Sequence, residues 1–311
     1  MSFIVSMLTQ ILHTGLMLVA APSMAGVTCW LNAWLSGRSG PPIVQPWHDL
    51  MRLSRKTSVT QESVSIVSHV APAVGLGAMF SAAALVPSFS LDMALSPLSD
   101  VIVVVSLMTV ARVTSGLVAL DSGAALPGLA AQASSARAIL AEPAAMLVVF
   151  SLAPIGGSFN LDTIIGQQLI GQQQEGMLLP TTASALGLCV LLVLVFADAS
   201  DIDRGQEQML SGAELAMVRM TGWLRRLIWI DLIGAIFLPV GMASSDSGPL
   251  AWLTGLAVWA LKLGGFTLGL SGSLAVFGRF AANAALQQMV GVAALLALLA
   301  AIMVLASTGL A

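Results

Sequence analysis

The stretch Leu98–Leu120, LSDVIVVVSLMTVARVTSGLVAL, decides the fold. A helix crossing the lipid hydrocarbon layer takes about 20 mostly apolar residues, and this run supplies them with Asp100 near its start and Arg112 in its second half. In lipid every backbone N–H and C=O must be satisfied within the segment, so the run reads as a transmembrane helix. Seven further runs of the same kind surround it: Phe3–Ala25, Ser65–Pro87, Ala138–Gly157, Leu179–Ala197, Leu224–Gly241, Leu250–Ser271 and Leu286–Leu305. The expectation is an all-α polytopic membrane protein with eight transmembrane helices, built as a single integral membrane domain over residues 1–311.

The composition agrees. Of 311 residues 57% are hydrophobic and 9% charged, with a mean hydropathy of +0.94, whereas soluble domains carry about 25% charge. An ordinary soluble enzyme is excluded. Twelve Lys and Arg against 15 Asp and Glu give a net charge of −3, and the basic residues form no stripe that could track a phosphate backbone, so nucleic acid is not an expected partner. Cys29 and Cys189 lie in separate apolar runs with no C-x-x-C spacing. No cofactor, metal or disulfide is therefore expected in this chain.

Charge in the connections sets the orientation. Those after runs one, three, five and seven carry Arg38, Arg52, Arg55 and Lys56, then Arg137, then Arg204, Arg219, Arg225 and Arg226, then Arg279. Those after runs two, four and six carry no Lys or Arg. Basic residues near span ends favour the cytoplasmic side, which puts both termini on the outer, periplasmic side. The first run has no basic residue ahead of it and is expected to be retained as a span, because cleaved secretory signals begin with positive charge. Two cytoplasmic loops, about 37–64 and 198–223, are long enough to form a surface. The glutamine-rich outward loop Ser158–Met177 is expected to be a solvated cap.

Charges inside the runs are costly, at least about 2.5–3.5 kcal/mol near the bilayer centre. Arg112 and Lys262 are the two basic ones away from the ends of their runs, and either a water path or a structural ion pair satisfies the physics for each. Lys262 lies on the face of Gly265, Gly269 and Ser273, whose four-residue spacing lets another helix approach closely, so it is expected to point into protein. Asp231, five residues after Arg226, is expected to reach the interface by snorkelling. Glu142, before Pro143, is placed one turn into the fourth run, where capping of a helix N-terminus competes with a proton-relay role. Isolated His13 and His69 are weak metal candidates.

The first loop reads Gly37-Arg38-Ser39-Gly40-Pro41-Pro42, then Gln45-Pro46, Asp49-Leu50, Leu53 and Arg55-Lys56. It is a Gly/Pro-stiffened turn followed by a short basic amphipathic segment suited to a membrane surface or a docked protein. It resembles the R-x-G-P…Q-P-x-x-D-x-x-K-L-x-x-K loop of respiratory complex I subunit 1 and of its relatives in membrane-bound hydrogenases, among them formate hydrogenlyase subunit 4 and hydrogenase-4 component C. Arg112, Leu120-Asp121-Ser122-Gly123, Glu142-Pro143, Phe237-Leu238-Pro239, Leu261-Lys262 and Gly278-Arg279-Phe280 follow in the family's order, so the resemblance spans nearly the whole chain. Two departures stand out. Ser134 occupies the place of a family acid, and Asp201-Ile202-Asp203-Arg204 replaces the family's K-I-P-F-D segment.

The resemblance implies a membrane anchor subunit of a complex I-like or membrane-bound hydrogenase-like redox complex in a bacterial or archaeal cell membrane. Arg38, Gln45, Asp49, Arg55 and Lys56 would dock a peripheral electron-transfer arm. Arg112, Asp121, Glu142, Asp198 and Lys262 would line a polar or proton path. The implied partners are hydrogenase-like large and small peripheral subunits, antiporter-like membrane subunits and the lipid bilayer. Iron–sulfur clusters, with or without nickel–iron, would belong to the partners, and no catalytic residue to this chain. Two alternatives stay open: a hydrogenase-related complex that has lost hydrogen chemistry, and a self-contained secondary transporter. The second calls for paired, broken spans in two related halves, which the sequence does not display.

Overall fold

The structure is a computed structural model that describes residues 2–58, 65–156, 158–175, 182–200, 210–244, 248–277 and 283–307. Within the described residues each of the eight apolar runs overlaps a helix. The helices are α1 (Ser2–Leu35), α2 (Gln45–Ser54), α3 (Val67–Leu85), α4 (Val101–Asp121), α5 (Ala125–Gly156), α6 (Leu161–Glu175), α7 (Thr182–Ser200), α8 (Gly212–Phe237), α9 (Pro249–Phe277) and α10 (Asn283–Ser307). Two short strands, β1 (Ser90–Leu91) and β2 (Ala243–Ser244), pair in parallel with Ser90 opposite Ala243. They tie the turn after α3 to the turn after α8. This marks one end of the bundle as the β end; α2 marks the other.

Among the described residues, five segments are long and apolar enough to cross a membrane: Ile4–Leu35, Val67–Leu85, Val101–Asp121, Pro127–Leu152 and Leu250–Ala275. Shorter apolar stretches, Ser184–Asp198 and Gln288–Val304, lie in α7 and α10. Helix α8 does not qualify, because Arg219, Arg225, Arg226 and Asp231 interrupt it. Yet it is the most enclosed helix of the bundle: every residue from Leu227 to Phe237 is buried. That stretch, apolar on all sides but for Asp231, belongs in a core, and α8 packs there against α1, α2, α3, α6, α7 and α9. In lipid such packing is held by close van der Waals contact and internal polar bonds more than by escape from water.

Three expectations are corrected. Helix α8 starts at Gly212, inside the segment expected as the 198–223 loop, and α7 runs on to Ser200, leaving 201–209 outside the described residues. Helix α5 starts at Ala125, so Arg137 is a buried helical residue and not a loop charge. The segment 158–177 is no solvated cap: within it α6 buries Leu161, Ile164, Ile165 and Gln168, and the Gln172 amide donates to the Phe237 carbonyl at 3.1 Å, closing the end of α8.

Local chemistry fixes the elements. Asp100 caps α4, its carboxylate accepting from Ile102 N–H at 2.9 Å. Gly26 lets α1 approach the chain before α2 so closely that a Cβ would strike the Ile43 carbonyl. Gly241, with φ +83°, makes the left-handed turn into β2 beside Val258.

Asp162 joins the cap to the bundle, accepting from Asp92 N–H at 2.9 Å and from the Ser96 hydroxyl. Burial pushes its carboxyl above the ordinary value, against the pull of those two donors. The folded cap therefore keeps a proton that the unfolded chain has released. Its stability is greatest below the ordinary carboxylate value and falls as pH rises through the raised one. Amide exchange across α6, corrected for its intrinsic pH dependence, should be faster at neutral than at acid pH, and Asp162→Asn should flatten that difference; equal slopes in the two proteins would refute it.

Candidate functional site: two buried charge clusters on one helix

The first cluster lies toward the α2 end. Arg112 of α4 has its Nε 3.6 Å from Glu142 Oε1 of α5 and an Nη 3.6 Å from Asp198 Oδ1 of α7. Arg225 of α8 donates from Nε to the other oxygen of Asp198 at 3.2 Å. Three helices thus meet at the Asp198 carboxylate, held between two guanidinium groups, and α5 joins them through Glu142. The Arg112 Nε sits beyond hydrogen-bond reach of Glu142 and has no such partner among the described residues, which leaves that contact a loose one. A cavity of about 20 Å³ beside the cluster is lined by Arg112, Arg137, Asp198 and Trp229. The indole N–H of Trp229 and the Nε of Arg226 are also buried without acceptors among the described residues.

Six residues further along α8, about 9 Å of helix, lies the second cluster. The Trp259 indole of α9 donates to Asp231 Oδ1 at 2.7 Å. Lys262, one turn on from Trp259, lines the same small cavity as Asp231 and Ser88. Asp231 is only 5% exposed, so it does not snorkel to the interface as expected. Its place on the enclosed stretch of α8 explains why.

Of the expected path residues, the fold brings Arg112, Glu142 and Asp198 together and sets Lys262 with Asp231. Asp121 stands apart from both clusters: its Oδ2 accepts from the Ser68 hydroxyl at 2.6 Å and from Ser65 N–H at 3.0 Å, fastening the start of α3 to the end of α4. Glu142 is no N-terminal cap either, since α5 begins far upstream at Ala125. Sequence reasoning missed the roles of Arg225, Asp231 and Trp259. It also missed the pair between His69 Nδ1 and Glu214 Oε1 at 2.6 Å, which joins α3 to α8 and replaces the metal role considered for His69.

The expected docking residues gather at the α2 end. The Trp47 indole holds α2 on α1 by donating to the Ser23 hydroxyl at 3.2 Å. The Gln45 amide donates to Asp49 Oδ1 at 3.3 Å, and Arg52 pairs with the same oxygen at 3.4 Å. Gln45 and Asp49 face a cleft of about 220 Å³ between α1, α2 and α8, walled opposite by Arg219 and Trp223. Arg38, Arg55 and Lys56 are exposed. Just beyond them, the backbone at Lys56 and Ser58 presses on Gly212, where φ is +60° and a Cβ would come within 2.7 Å of the Lys56 carbonyl. The basic surface is thereby seated directly on the first residue of the buried helix.

Residues 7–305 match the family described as NADH dehydrogenase. The chain belongs to the NADH dehydrogenase family. Within it, this complex I subunit 1-type chain is 24% identical over 274 residues to formate hydrogenlyase subunit 4 of Escherichia coli, covering 85% of this chain and 89% of that protein. It is 27% identical over 257 residues to hydrogenase-4 component C of the same organism, covering 80% of each. Among solved structures, it shares its fold with a chain in the structure of the membrane-bound sulfane sulfur reductase, an archaeal respiratory membrane complex, with a TM-score of 0.76, 20% identity, and coverage of 95% of this chain and 99% of that one. With its long apolar helices, this NADH dehydrogenase-family chain is a multi-pass membrane protein.

Proposed function

We propose that the chain is the membrane anchor subunit of a complex I-like or membrane-bound hydrogenase-like redox complex. It seats a peripheral electron-transfer arm at the α2 end and couples that arm to proton- or ion-translocating antiporter-like subunits beside it. The observation that carries this reading is the arrangement of α8. A single buried helix begins under the exposed basic surface of Arg55 and Lys56 and carries Arg225 and Asp231 in succession into the bundle. Charges that close in a medium of low dielectric feel one another strongly, so a change at the docking surface has a physical route inward.

The relatives' names support the setting, since they are components of formate hydrogenlyase and hydrogenase-4. In this reading the chain crosses the inner cell membrane eight times with both termini outside, because the connection carrying Arg38, Arg52, Arg55 and Lys56 then lies on the cytoplasmic side. Helix α8 counts among the eight as a span enclosed by protein. The redox centres belong to hydrogenase-like large and small subunits, and this chain supplies docking and a polar path through Arg112, Glu142, Asp198 and Lys262.

The docking half is tested by charge reversal. Arg55→Glu together with Lys56→Glu should release the peripheral arm during mild purification while the membrane part stays assembled. An arm that remains bound to the variant in high salt, or a wild-type chain that purifies with no redox partner, would overturn it.

A further inference from the structure

The cavity beside Asp231 has an atomic arrangement that the path alone does not require. His13 of α1 is fully buried, with Nε2 3.0 Å from the Ala83 carbonyl and Nδ1 2.7 Å from the Ser88 hydroxyl. A carbonyl only accepts, so Nε2 carries the ring proton and, in a neutral imidazole, Nδ1 is bare. Ser88 must then donate its own proton to Nδ1. That leaves the lone pairs of Ser88 Oγ for the cavity it lines with Asp231, Trp259 and Lys262. On the other wall, Asp231 Oδ1 is occupied by the Trp259 indole while Oδ2 is buried with no hydrogen-bond partner among the described residues. The cavity measures about 10 Å³, room for one water molecule.

We propose that this cavity is a binding site for a single water that carries a proton between Lys262 and Asp231, with His13 and Ser88 as its positioning residues. The three facing groups match a water's needs: it donates to Asp231 Oδ2 and to Ser88 Oγ and accepts from the Lys262 ammonium, within the usual range for a buried water. The step is balanced. A Lys262 N–H bond breaks as a water O–H bond forms, and the water's O–H toward Asp231 breaks as an O–H bond forms on Oδ2. The charged pair becomes a neutral amine and a neutral acid with no change in net charge. Burial penalises the ionised pair and mutual attraction favours it, so a nearby charge shifts the balance between the two forms. Arg225, six residues back along α8 and paired with Asp198 of α7, supplies that charge. A cation in place of the water is disfavoured by Lys262 itself.

This inference rests on Lys262 belonging to the polar path, and the experiment separates the two. Redox-induced infrared difference spectra of the whole purified complex are recorded in H₂¹⁶O and H₂¹⁸O, alongside proton translocation in vesicles. The wild type should show an O–H band that shifts with ¹⁸O, together with a protonated-carboxyl band abolished by Asp231→Asn. Ser88→Ala, which removes one oxygen, should erase the isotope-sensitive band, move the carboxyl band and slow translocation several-fold with redox turnover unchanged; His13→Phe should do the same. An isotope-sensitive band missing from the wild type, or surviving in both variants, overturns the water site even if Lys262→Ala stops translocation. Translocation that survives Lys262→Ala overturns the path, and with it the proton step, even if the water band is present.

Discussion

Asp198→Asn is expected to be the most damaging single substitution in the chain, because it keeps the shape and removes the one charge that holds Arg112 and Arg225 together. Both guanidinium groups and the carboxylate are largely buried, at 14%, 7% and 9% side-chain exposure. Removing one partner from a buried ion pair costs about 3–5 kcal/mol, since the remaining charge stays desolvated and unpaired. Here two arginines would be left facing each other, with Arg226 near enough to add its own field to the site. The protein should fail to accumulate in the membrane, or should dissociate from its complex at a markedly lower temperature. Asp198→Glu, which keeps the charge, should recover much of the loss. Normal accumulation and thermal stability of Asp198→Asn would show that the cluster is not what joins α4, α7 and α8.

Glu142→Gln and Lys262→Ala should behave in the opposite way, sparing assembly and abolishing coupling. Glu142 sits 3.6 Å from Arg112 and is the more exposed of the two carboxylates there, at 21%, so its neutralisation leaves Arg112 still paired with Asp198. Lys262 is partly buried and shares its cavity with Asp231, which keeps the Trp259 bond at Oδ1 and takes up a proton at Oδ2 when the lysine is gone, so no bare charge is stranded. The bundle therefore loses little. Redox turnover should continue while proton translocation in reconstituted vesicles drops to near background. Vesicles in which the paired variant pumps as the wild type does would sink the polar path.

The long apolar helices were legible in the sequence because length and hydropathy are local properties. The runs at Ser65–Pro87 and Leu98–Leu120 fall within a few residues of α3 and α4. Helices were misjudged where polar residues are buried. Residues 125–137 contain Gln132, Ser134, Ser135 and Arg137 and so read as a loop, yet they form the first turns of α5. Helix α6 read as solvated for the same reason, its glutamines outweighing a buried face of Leu161, Ile164 and Ile165.

The candidate site divides along a similar line. Arg112 and Lys262 could be singled out from one chain because an isolated charge in an apolar run demands a partner. The partners could not be named. Arg225 reads as an interfacial charge until α8 is seen to start at Gly212, and Trp259 reads as one more apolar residue of its run until its indole is placed on Asp231. Nothing in the spacing of residues announces that Ser88, in a turn after α3, closes a cavity against α8 and α9.

The enclosure of α8 has a consequence for how the protein is made. A nascent helix bearing Arg219, Arg225, Arg226 and Asp231 partitions poorly into lipid on its own, each central charge adding its own unfavourable increment during insertion. Its favourable surroundings exist only once α1, α3 and α7, all earlier in the chain, are in place to receive it. Biogenesis must therefore hold α8 at the insertion machinery until those three have gathered, and α9, which follows it, then brings Trp259 to seal the last buried carboxylate.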